Sequence, residues 1–162
     1  MRGGALPPAL LFAALGLAIA FLGKKAIAAC LAILALTALV VGLSVRIGPE
    51  WRDTVFLGCW ISLLVNAASV YLPRKIGPPI AFALAVNTGV WGGAVISASG
   101  GPLDFPKSLV CVLVCLPACG DQPARRQIAV LVLASWLIAV ALLAGTLQIT
   151  TPTPGYLPDH MD

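Results

Sequence analysis

Six apolar stretches, each divided from the next by a short gap rich in charge, proline or glycine, constrain what this chain can fold into. A helix needs roughly 20 apolar residues to cross the ~30 Å hydrocarbon of a bilayer, because it rises about 1.5 Å per residue. Several of the stretches approach that length, and no soluble core of 162 residues could hide them all. Composition agrees: 60% of the residues are hydrophobic and 10% are charged, with a mean hydropathy of +1.01. Soluble domains run at roughly 45 to 50% and 25%. The sequence therefore predicts an all-α, polytopic transmembrane helical bundle, with about six spans over residues 1–147, short loops, and an extended proline-rich tail over 148–162.

The first two segments, Ala5 to Leu22 and Ala26 to Val45, are divided by little more than Gly23-Lys24-Lys25. This predicts a tight helical hairpin, with Gly23 at the bend and both lysines reaching the headgroups. Pro7 and Pro8 fall in the first turn, where a missing N–H costs little. A loop from Arg46 to Asp53 holds Trp51, a residue type favoured at membrane interfaces. The third segment, Thr54 to Leu72, is separated from the fourth, Ile80 to Ser97, by the turn signal Pro73 to Pro79. Ser108 to Cys119 is the short fifth segment, with Pro117 inside it, and its length suits a re-entrant piece as well as a span. Gln127 to Leu147 is the sixth.

The net charge of +4 could suggest a nucleic-acid partner, but the basic residues fall in the gaps between apolar runs, where they set topology instead. With six spans, Lys24, Lys25, Arg74, Lys75, Arg125 and Arg126 share one side. The other side has Arg2, Arg46, Arg52 and Lys107, diluted by Glu50, Asp53 and Asp104. The positive-inside rule then makes the first side cytoplasmic and leaves both termini extracytoplasmic, as for a multi-pass protein of a cell inner membrane. Five spans would put Arg125 and Arg126 opposite the other dibasic pairs, so six is the expectation. Met1-Arg2 and the apolar run after it resemble a secretory signal, yet are read as a retained span. Ile27-Ala28-Ala29-Cys30 resembles a lipoprotein processing site, but Lys24 and Lys25 interrupt the apolar run that a processed leader requires. Six spans divide as three plus three of opposite sense, as in the inverted repeats of many transporters, although no residues match between the halves.

The central part of every segment lacks Asp, Glu, Lys, Arg and His, which counts against proton relays, voltage sensors and ion-coupled carriers. Haem is disfavoured too, because the one histidine is His160 in the tail, and no cofactor is expected. Asn66 and Asn87 lie at similar depth on neighbouring segments, suited to a hydrogen bond across the hairpin or to a pore lining. Gly89 and Gly93 have GxxxG spacing, which lets another backbone approach closely, within the bundle or on another chain. Cys111, Cys115 and Cys119 would form a stripe that suits a soft metal, or act simply as small apolar side chains. Tyr156 and His160 make the tail a candidate docking segment.

No nucleophile and base, phosphate-binding glycine loop or carboxylate pair emerges, so catalysis is not expected. Two functional classes remain. One is a non-catalytic subunit or scaffold of an inner-membrane assembly, partnered by lipid and by other membrane subunits or further copies of itself. The other is a facilitative channel or carrier for a small solute or soft metal ion.

Overall fold

The computed structural model describes residues 6–72, 76–99, 104–115 and 123–150. Among them there are six α-helices and one 3₁₀ turn, Pro49–Trp51. The helices are α1 Leu6–Ile19, α2 Lys24–Ser44, α3 Arg52–Ser69, α4 Pro78–Ser99, α5 Asp104–Cys115 and α6 Pro123–Ile149. Three of them, α2, α4 and α6, are long and apolar enough to cross a membrane. The 14 residues of α1 extend ~21 Å, short of a full bilayer, and the 12 described residues of α5 extend ~18 Å.

Helix starts follow proline. Pro7 and Pro8 open α1, Pro78 and Pro79 open α4, and Pro123 opens α6, because the first turn has no acceptor for their missing N–H groups. This carries α4 and α6 beyond the expected Ile80 and Gln127 starts. The fifth helix starts at Asp104, four residues before the expected Ser108, with Pro106 in its first turn, and the expected end at Cys119 lies outside the described residues. An acidic residue at a helix start favours that register through the helix dipole. Gly23 caps α2 with φ −66 and ψ 150, an extended conformation open to any residue.

One neighbour relation differs from the expected hairpin of the first two segments. Although only a short turn separates α1 from α2, the second helix runs chiefly along α4. Buried α1 is instead surrounded by α3, α4 and α5, with α6 near its edge. Ten of its 14 residues are buried, including Leu11, Phe12 and Leu15 at 0% exposure, so it is the core around which the bundle packs. Such all-round apolarity is what a fully enclosed helix requires. By contrast, α2 buries only Cys30, Leu34 and Ala38, a four-residue stripe along one face.

Glycines on α4 explain its hold on α2. A Cβ at Gly93 would lie 2.6 Å from the carbonyl oxygen of Ala38, and one at Gly89 would lie 3.0 Å from that of Leu34 and collide with Thr37. Only glycine lets the two backbones pass so close. Rising numbers on α2 face rising numbers on α4, up to a Ser97 Oγ–H bond to the Val45 carbonyl, so the two helices are parallel. On α1, Phe12 fills the hollow over Gly92, where a Cβ would collide with its ring.

The Tyr71 hydroxyl, beyond the end of α3, donates to the Leu131 carbonyl in the third turn of α6 at 2.8 Å. The C-terminal end of α3 and the N-terminal end of α6 therefore lie on the same side of the bundle.

A polar ladder and groove between two helices

Amide and hydroxyl side chains cluster where α3 and α4 run antiparallel. Asn66 Nδ2 donates to Thr88 Oγ1 at 2.7 Å, and both residues are 0% exposed. One turn away, Asn87 Nδ2 donates to Ser62 Oγ at 2.5 Å. The two asparagines thus do not meet each other as the sequence suggested; each takes a hydroxyl partner on the opposite helix. Ser69 adds a hydrogen bond from its Oγ to the Asn66 carbonyl at 2.6 Å.

Helical phase explains the pairing. Ser62 and Asn66 lie four apart on α3 and so share a face, whereas Asn87 and Thr88 are adjacent on α4 and diverge by about 100°. One α4 side chain therefore enters the bundle and the other lies at its surface. The Asn66 Oδ1 and Trp60 Nε1 atoms are buried without a hydrogen-bond partner among the described residues. In an apolar interior an unmade hydrogen bond costs about 1 to 3 kcal/mol.

On the outer side of this ladder lies a groove of about 460 Å³ lined by Gly58, Ile61, Ser62, Val65, Asn87 and Trp91, among others. Its rim is at the surface, where Ile61 is 53% and Val65 49% exposed. The Trp91 ring lies so close over Gly58 that no side chain could replace the glycine hydrogen without moving it. Asn87, with Thr54 and Ser62, contributes the polar groups in this mainly apolar lining. With its nitrogen engaged by Ser62, its amide oxygen has no hydrogen-bond partner among the described residues.

The other candidates separate from this site. Gly89 and Gly93 face α2 of the same chain, so their close-approach surface is already occupied. Cys111 is half-buried on α5; Cys115 is the last residue of that helix, and Cys119 lies outside the described residues. Cys30 and Cys59 are buried on other helices, and the described residues hold no group of three or more His, Cys, Asp or Glu placed to hold a metal. Tyr156 and His160 also lie outside the described residues.

Ser62, Thr88, Gly58, Trp91 and Tyr71 were not singled out from the sequence. Two of them carried a readable signal: Ser62 sits one turn before Asn66, and Thr88 follows Asn87 directly.

Fold and site together define, among the described residues, an all-helical bundle with three candidate membrane-crossing helices, an apolar central helix and a lateral, mainly apolar groove that includes Thr54, Ser62 and Asn87. The chain matches no family model, no curated protein and no solved structure.

Proposed function

We propose that the chain is a non-catalytic integral subunit or scaffold of an inner-membrane assembly, crossing the membrane six times with both termini extracytoplasmic. One observation carries the subunit reading: the bundle axis is filled by α1 side chains, while the concave surface lies between α3 and α4 and opens outward. A conducting protein needs polar groups along an internal path. Here the centre is Leu11, Phe12 and Leu15, and Asn87 lines a groove at the perimeter, where another membrane component can reach it.

Six spans are supported by the Tyr71 bond to Leu131. If α5 turned back without crossing, α6 would begin on the side where α3 begins, and its third turn could not meet the end of α3. Crossing by the short α1 fits local thinning of the bilayer. A facilitative channel or carrier is the rival reading, and it draws on the same groove through Asn87.

Purification from native membranes in mild detergent tests the proposal. The expected result is a chain that resists alkaline extraction and migrates in a defined particle larger than one copy. Recovery as a lone monomer, together with solute flux in proteoliposomes that Asn87→Leu abolishes, would replace the subunit by the carrier. A reporter fused after Asp162 should be active only outside the cytoplasm; cytoplasmic activity would return the count to five.

A further inference from the structure

Tryptophan in membrane helices favours the interface, where its N–H can be hydrated. Trp51 fits that pattern, exposed at the start of α3. Trp136 does not. It lies at the midpoint of the 27-residue α6, 55% exposed, and its indole N–H makes no hydrogen bond with any described residue. Facing hydrocarbon at that depth, the donor would go unsatisfied at a cost of ~1 kcal/mol or more.

The groove between α3 and α4 has the complementary defect: an acceptor, Asn87 Oδ1, with no hydrogen-bond partner among the described residues, in a mainly apolar hollow of about 460 Å³ edged by the Trp91 ring. The depths agree as well. Leu131 lies level with Tyr71, so Trp136, five residues or about 7.5 Å further along α6, comes level with Asn66, five residues before Tyr71 on the oppositely directed α3, and Asn66 bonds to Thr88 beside Asn87. Two copies inserted in the same sense therefore bring donor and acceptor to nearly equal depth.

We propose that this chain self-associates in the membrane by seating Trp136 of one copy in the α3/α4 groove of a second, with the indole N–H donating to Asn87 Oδ1. The inference rests on the membrane-subunit reading and names its partner as another copy of the chain. Knob and hollow are different patches, so the contact is head-to-tail and generates a closed ring or reciprocal pair according to the rotation between copies.

The test places the photoreactive residue p-benzoylphenylalanine at Ile61 on the groove rim, leaving Trp136 and Asn87 intact. Photoreactive and isotopically heavy copies are co-expressed, and cross-linked peptides are mapped by mass spectrometry. Adducts joining position 61 to α6 residues near Trp136 of the heavy copy are expected. Trp136→Ala should lower their yield at least tenfold, and Trp136→Phe, which keeps a ring but loses the donor, about three- to tenfold, as for loss of one intramembrane hydrogen bond. Thermal stability of each variant in detergent should stay near that of the parent chain, since Trp136 is exposed. Adducts only to lipid or to a different protein, from a chain that resists alkaline extraction, would overturn self-association while leaving the subunit reading in place. A chain released by alkaline extraction would overturn both.

Discussion

The helices α1 and α2 are joined by a short turn and are similarly apolar, yet they occupy opposite environments. Buried residues make up ten of 14 positions in α1 but three of 21 in α2. Apolarity alone does not say which helix becomes the core, because lipid tails are as apolar as leucine and give no incentive to bury one such face rather than another. Shape decides. Gly89, Gly92 and Gly93 let α4 admit α2 on one side and Phe12 of α1 on another. Once α1 is enclosed by α3, α4 and α5, α2 is left at the margin with Leu36, Leu39, Val40 and Leu43 outward.

The largest difference should come from truncating one apolar side chain in each helix. Phe12→Ala is expected to destabilise the bundle by about 3 kcal/mol, since it opens a cavity at a site with no exposure. Leu36→Ala, at 64% exposure, should cost less than ~0.5 kcal/mol. Thermal denaturation in a mild detergent reads both. Equal losses would mean that α2 is as enclosed as α1 and would break the comparison.

Next in size is the glycine seam. Gly93→Ile must push the Ala38 backbone away and is expected to cost about 2 kcal/mol, with the loss confined to α2 docking. Gly145→Ala has nothing within 4 Å and should be neutral or stabilise slightly. Limited proteolysis near the α1–α2 turn distinguishes the two: the first variant should be cut faster, the second unchanged. If Gly93→Ile leaves cleavage and stability untouched but breaks the assembly, the seam belongs between chains and α2 is held otherwise.

A smaller effect is expected from the polar ladder. Asn66→Leu removes the buried bond to Thr88 and should cost roughly 1 kcal/mol, in the range of intramembrane side-chain hydrogen bonds. Ser135→Ala should change stability very little, because that exposed hydroxyl bonds to the Val132 carbonyl of its own helix. Urea or dodecyl sulfate titration of the two variants in mixed micelles would compare them directly.

Much of the helical layout was legible in the sequence because proline and glycine interrupt apolar runs, and each expected segment has a helix over or beside it. Starts moved where proline initiates a helix, at Pro78 and Pro123, and the fifth helix starts at Asp104, four residues before Ser108. The neighbour relations were not legible. Nothing in Gly23-Lys24-Lys25 says that α2 will pass α1 and lie on α4; that depends on Gly89 and Gly93 meeting Thr37 and Ala38. Within the site, Asn66 and Asn87 were visible as polar groups in apolar segments. Their hydroxyl partners were hidden because pairing depends on the rotation of each helix about its axis, which residue spacing along a single helix does not define.

Labelling of the full chain in lipid vesicles by a photoactivated apolar carbene dissolved in the bilayer tests the central claim most directly. The account predicts adducts on Leu36, Leu39, Val40 and Leu43 of α2 and on Leu142, Leu143 and Leu147 of α6, with Leu11, Phe12 and Leu15 of α1 protected. Strong labelling of those α1 residues, or no labelling of any helix, would contradict a bundle built around α1 with α2 and α6 facing lipid.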